Sequence, residues 1–196
     1  FDRLYALAPH EIQFGILKRL RGTPIIRHTA DFAMAYDPQT PYTILQTSTV
    51  DFATMQRIQR FARYWEMVAN SGRFALGLKL LLGPGSAFNH FLGFSDWLWQ
   101  TTGKTHEFAL EKLVDLLHEH LTAVRGLADE EVRAALMADY RASGARGRPQ
   151  CLADLLSAER VVLPARAGKL RAERQGRHAN QQAAHRDEIQ KAAAAA

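Results

Sequence analysis

Residues 12–17, Ile-Gln-Phe-Gly-Ile-Leu, are nearly unbroken in apolar character, the pattern of a strand buried on both faces of a parallel sheet. Gly22-Thr23-Pro24 ends that strand as a turn, because glycine is free in φ and proline donates nothing to a ladder. A parallel strand needs parallel neighbours, and nothing earlier in the chain supplies them. The chain also opens on Phe1 rather than Met. The expectation is a C-terminal piece of a larger protein, with the chemistry of the parent encoded elsewhere. Left alone, Ile12–Leu20 would be an aggregation or pairing edge. It is therefore expected either to form a homodimer through the exposed strand or to refold, with helix as one outcome.

Downstream the period changes. Arg27–Tyr36 is expected as a short helix, closed by Asp37-Pro38-Gln39-Thr40-Pro41, and Tyr42–Thr47 reads as a short strand. Asp51 is a natural N-cap for a helix whose apolar stripe is Phe52, Met55, Ile58, Phe61, Trp65 and Val68, with Asn70-Ser71-Gly72 as its stop. Phe74–Leu82 is expected as a short helix broken by Gly83-Pro84-Gly85. Ser86 caps the next, which ends at Gly103. Thr105-His106-Glu107-Phe108 is expected to open a further helix closed by Gly126, and Asp129–Ala142 to form another. The fold class is mainly α, with about five to six helices and one or two short strands near the N-terminus. The organisation reads as 1–26, a strand and its exit turn; 27–143, a helical domain; and 144–196, a basic polar tail, helical or disordered, that follows a Gly/Arg/Pro-rich break.

The charge is confined to that tail. Residues 1–143 hold 15 Lys+Arg and 15 Asp+Glu, whereas residues 144–196 hold 10 and 5, so the whole excess of +5 lies in the last segment. One cysteine, Cys151, excludes an internal disulfide framework and a thiolate metal site, and suits a reducing cytoplasm. No run approaches the roughly 20 apolar residues of a membrane span.

Several constellations invite function. Arg57, Arg60, Arg63 and Arg73, with Tyr64 and Trp65, suggest a basic-aromatic surface for a phosphate-bearing substrate or RNA. A solvated helix face is favoured instead, because acidic residues balance the body. Arg171, Arg174, Arg177 and His178, with Arg186 and Lys191, suggest docking of the tail onto an acidic partner or nucleic acid, with an inert extension as the favoured reading. His118-Glu119-His120 looks like a metal motif, but residues two apart on a helix point about 200° away from each other. No nucleophile elbow, Walker loop or dinucleotide fingerprint is present.

The run Pro-His-Glu-Ile-Gln-Phe-Gly-Ile-Leu-Lys-Arg-Leu-Arg-Gly-Thr-Pro-Ile (residues 9–25) resembles the end of the catalytic barrel in cobalamin-binding radical S-adenosylmethionine proteins. The resemblance continues through Pro41-Tyr42-Thr43-Ile44-Leu45, Asp51-Phe52-Ala53-Thr54-Met55, Arg60-Phe61-Ala62-Arg63-Tyr64-Trp65 and Asn70-Ser71-Gly72-Arg73-Phe74. These blocks look like the C-terminal domain that follows the barrel in one branch of that family. The resemblance implies a parent with a cobalamin domain and a barrel whose four-iron cluster cleaves S-adenosylmethionine. It also implies that Gly15 and Leu17, on the last strand, line the S-adenosylmethionine site of the intact enzyme, with plain packing in the barrel wall as the alternative. The chain departs from the pattern where chemistry is concerned. The cluster takes three thiolates from a Cys-x-x-x-Cys-x-x-Cys loop, and the cobalamin element Asp-x-His-x-x-Gly is also absent. The expectation is an accessory domain, inert alone, whose partners are the barrel and cobalamin domain of its own polypeptide. The alternative is a free-standing helical module whose basic tail binds nucleic acid or an acidic protein.

Overall fold

The computed structural model describes residues 1–162, and the architecture is mainly α, as the periodicity predicts. One compact unit spans Phe1–Leu152 and a second begins at Ala153. In the first, α1 (Asp2–Tyr5) is followed by a small antiparallel sheet of β1 (Ala35–Tyr36) and β2 (Ile44–Gln46). Then come α2 (Phe52–Trp65), α3 (Ala75–Leu82), α4 (Ala87–Thr102), α5 (Leu110–Glu119) and α6 (Asp129–Ala142). The second unit contributes α7 (Ala153–Val162). Among the described residues no helix is long and apolar enough to cross a membrane.

Helix starts follow local chemistry. Asp51 accepts the Thr54 N–H at 2.7 Å and Ser86 accepts the Asn89 N–H at 3.1 Å, each satisfying a first-turn donor without an intrahelical partner. Gly103 closes α4 in the left-handed region, at φ 61°. Both α2 and α5 run on into π turns, Glu66–Asn70 and His120–Val124.

Two of the expected helices need correction. Arg27–Tyr36 is not an α-helix: Pro24–His28 forms a 3-10 turn, and Ala35–Tyr36 pairs with β2. The ladder satisfies backbone groups that a helix there would have kept for itself. Thr105–Phe108 does not open α5, which starts at Leu110. Glu107 sits at φ 61°, outside the right-handed helical region.

The core lies where α2 packs on α4, and α3 and α5 on α6. Phe61, Tyr64, Trp65 and Val68 are buried from α2, and Phe91, Phe94 and Leu98 from α4. The rings interlock edge to face, Phe61 on Phe91 at 5.0 Å and Trp65 on Phe91 at 4.9 Å. Short α3 is held from outside at both ends. Buried Asp139 of α6 accepts the N–H groups of Leu76 (3.0 Å) and Gly77 (2.7 Å). At the other end Arg125 donates to the Leu81 carbonyl at 2.7 Å, and the His90 imidazole meets that of Leu82. Gly77 permits the close α3–α6 crossing, since a Cβ there would lie 2.9 Å from Leu136 Cδ2.

Candidate functional site

The Ile12–Leu17 segment is extended, but it is not a strand buried on both faces. Its residues alternate: Ile12 is buried and Phe14 and Ile16 half-buried, while Gln13, Gly15 and Leu17 are exposed. The inward face rests on the aromatic core, with the Phe14 ring 5.0 Å from Phe61 and 5.7 Å from Phe1. Among the described residues no parallel strand flanks it, and its apolar residues divide between the helical core and an open face.

Hydrogen bonds pin the segment at its two ends, through backbone pairing at one and a side chain at the other. The Ile44 N–H donates to the Leu17 carbonyl at 2.9 Å and the Arg19 N–H to the Tyr42 carbonyl at 3.0 Å, with Lys18 bridged antiparallel to Thr43. Residues 17–19 therefore add a third, edge position beyond β2. At the other end an amide stands in for a strand. Asn70 Oδ1 accepts the Ile12 N–H at 3.4 Å, and Asn70 Nδ2 donates to the Ile12 carbonyl at 3.1 Å. The same Asn70 Oδ1 accepts the Trp65 indole N–H at 3.0 Å, and Nδ2 donates to Glu66 Oε2 at 2.7 Å. Between the anchors, the N–H and C=O groups of residues 13–16 have no hydrogen-bond partner among the described residues.

A groove of about 940 Å³ follows this edge, with residues 11–18 as one wall and Gln59, Ala62, Arg63 and Glu66 of α2 as the other. It meets a second cleft of about 630 Å³ at Leu20, lined by Arg19, Arg21, Thr23, Ile26 and Tyr42. Gly15 and Leu17 both lie on the groove, and a Cβ at Gly15 would meet nothing within 4 Å.

The arginines singled out from sequence are not gathered into one surface. Arg57 makes a two-pronged pair with Asp96 at 3.2 and 2.5 Å, which raises its pKa chiefly through that hydrogen bond. Arg60 lies over the Trp99 ring at 5.1 Å. Arg63 faces the groove and Arg73 is exposed beyond the Glu66–Asn70 turn. Arg171, Arg174, Arg177, His178, Arg186 and Lys191 lie outside the described residues.

His118 and His120 sit in different surroundings, as their helical spacing predicts. His118 Nε2 is 2.7 Å from Asp129 Oδ1. His120 is buried against Phe94 (5.1 Å) and Trp97 (4.9 Å), and its Nδ1 has no hydrogen-bond partner among the described residues. Burial, and secondarily Arg125, pushes its pKa down to about 4. Cys151 is half-buried, and burial, then the Asp115 carboxylate, pushes its pKa up to about 12. A thiol so held is protonated at neutral pH and a poor nucleophile. One such group does not fit a four-iron cluster, so no step through a cluster is assigned to these residues.

Sequence reasoning found the segment and missed its anchor. Asn70 reads from sequence as a helix stop and part of a family-like block, with no sign of this tether, because its partner Ile12 is 58 residues away, beyond the reach of any local signal. Searches of curated proteins and of solved structures return no match. Residues 30–194 match the family described as a protein of unknown function, DUF4080. That match covers most of the chain, including the α2 wall of the groove, and the chain belongs to the DUF4080 family.

Proposed function

We propose that this chain is the C-terminal accessory domain of a cobalamin-dependent radical S-adenosylmethionine enzyme. Its role is to cover the barrel, or to hold a substrate or partner there, and it is inert alone. One observation carries the reading: residues 12–17 pack one face on the helical core, while the other face, and the backbone of residues 13–16, have no partner among the described residues. A strand at the seam between a sheet and a helical appendage has this division of faces. Gly15 and Leu17 lie on the face turned away from the core, which suits residues that would line the barrel and its S-adenosylmethionine. The family membership is in keeping with the reading without naming an activity. The iron-sulfur cluster and cobalamin belong to the remainder of the parent polypeptide, since this chain has neither the thiolates nor the cobalamin element.

The test is the reading frame upstream of Phe1, followed by expression of its whole product. The expected result is a Cys-x-x-x-Cys-x-x-Cys loop upstream, a reconstitutable cluster, and cleavage of S-adenosylmethionine that becomes uncoupled or faster-decaying when residues 27–196 are removed. A frame without the cysteine loop would sink the proposal.

A further inference from the structure

We infer that the cleft at the exit turn, walled by Arg19, Leu20, Arg21, Ile26 and Tyr42, binds a small organic phosphate: a phosphate group carried on an apolar ring or chain. The site goes beyond the accessory reading and stands without it. Every residue of its wall lies between positions 19 and 42, and so do the contacts that anchor it.

Charge comes first. Residues 12–30 carry Lys18, Arg19, Arg21 and Arg27 and no Asp or Glu, although residues 1–143 as a whole balance at 15 and 15. The cleft wall holds two of those guanidinium groups and no carboxylate. Neither Arg19 nor Arg21 has an acidic partner among the described residues. Asp37, on the neighbouring hairpin, accepts the Gln39 N–H at 2.8 Å and stands outside the wall. Two uncompensated cations in a concave surface focus their field on an anion.

The donors are also held in place. The Arg19 N–H donates to the Tyr42 carbonyl at 3.0 Å, and the Arg19 guanidinium lies over the Tyr36 ring at 5.1 Å. A guanidinium stacked on a ring keeps the edge that carries its N–H groups for bidentate bonding. The turn that follows is closed twice, since the Thr23 N–H (3.3 Å) and Thr23 Oγ1 (2.7 Å) both donate to the Leu20 carbonyl, and Gly22 takes the left-handed position at φ 77°. In that turn the N–H groups of Arg21 and Gly22 have no partner among the described residues. Two arginine forks and two amides exceed what one carboxylate accepts and suit the three terminal oxygens of a phosphate monoester.

The rest of the wall selects the body of the ligand. Leu20 (58 %) and Ile26 (62 %) are exposed apolar side chains on the cleft. Half-buried Tyr42 completes the wall at φ 58°, a left-handed conformation that bulky residues seldom adopt and that gathers at ligand sites. A volume of about 630 Å³ falls within the range of small-molecule sites, about 300–1,000 Å³. Inorganic phosphate alone would leave those side chains in water.

The full chain is titrated with phenyl phosphate, benzoate, phenol and inorganic phosphate, read by calorimetry and by backbone amide shifts. The expected result is saturable one-to-one binding of phenyl phosphate that weakens as salt rises, with shifts centred on residues 19–26 and Tyr42. Benzoate and inorganic phosphate should bind about tenfold more weakly, and phenol not at all. Arg21 is exposed, so Arg21→Gln should fold as the wild type does and lose affinity about tenfold. Arg19→Lys keeps the charge without the fork and should lose affinity as well. Tyr42→Gly takes the left-handed conformation freely, and should weaken phenyl phosphate while sparing inorganic phosphate. Full affinity in both arginine variants, equal binding of benzoate and phenyl phosphate, or shifts elsewhere in the chain would overturn the site. An oligonucleotide that binds where phenyl phosphate does not would mark a nucleic-acid surface and overturn it too. The product of the whole upstream reading frame should bind phenyl phosphate equally well. Loss of binding there would show that upstream residues fill the cleft, and would sink the site whether or not the frame carries the cysteine loop.

Discussion

Acidification should destabilise this protein through His120 in particular. The imidazole is 2 % exposed, packed against Phe94 and Trp97, with no partner for Nδ1 among the described residues and Arg125 adding a like charge when the ring is protonated. Its folded pKa is about 4, below the ordinary 6.5. Between those values the unfolded chain binds the extra proton and the folded chain does not, so stability rises with pH there and falls as the solution is acidified. The full contribution is present above about pH 6.5, and linkage of the two pKa values gives a loss of about 2 kcal/mol by about pH 5. Urea titrations of the whole chain at about pH 7.5 and about pH 5 measure it, provided unfolding is two-state. His120→Leu keeps an apolar side chain of similar volume and removes the titration. The wild type should lose about 2 kcal/mol more than the variant over that interval, whatever the other histidines contribute to both. Equal losses in the two proteins would refute the assignment of a buried neutral imidazole.

Asp139→Ala removes the acceptor for two first-turn N–H groups of α3 and should cost about 2–4 kcal/mol, measured by thermal or urea unfolding. A cost below about 0.5 kcal/mol would show that those donors find another partner. Asn70→Ala should leave the helices in place yet release residues 12–17, seen as faster amide exchange of Ile12 and a changed Trp65 emission as its indole N–H loses its acceptor. Cys151 should react with a thiol reagent near neutral pH far more slowly in the folded chain than in urea, because its pKa is pushed up to about 12. Phe61→Ala, at the centre of the ring cluster, should cost about 3–5 kcal/mol, and retention of near-wild-type stability would mean the cluster repacks.

The helices were legible in the residues because their signals act over one turn. Asp51 needs only Thr54 and Ser86 only Asn89, and the stripe Met55, Phe61, Trp65, Val68 repeats at the spacing that puts it on one face. The same reasoning failed at Thr105–Phe108, where a polar start hid a left-handed Glu107, and at Arg27–Tyr36, where pairing with β2 outweighed helix formation. The candidate site was half legible. The apolar run Ile12–Leu17 announced an extended segment, but an unbroken run cannot say which residues face a core.

Composition and periodicity by themselves determined a mainly α chain, its caps and stops, an extended N-terminal run, and a thiol count too low for an iron-sulfur cluster. Tertiary structure alone decided the rest. Arg57 is neutralised by an Asp96 39 residues away, α3 is capped by an Asp139 63 residues away, and Ile12 is tethered by an Asn70 58 residues away. Hydrogen bonds and ion pairs act over about 3 Å, so which groups remain unsatisfied depends on what the fold brings within that reach. The edge at residues 13–16 is of that kind: its residues predispose it to be extended, and only the surrounding fold shows that its backbone has no partner among the described residues.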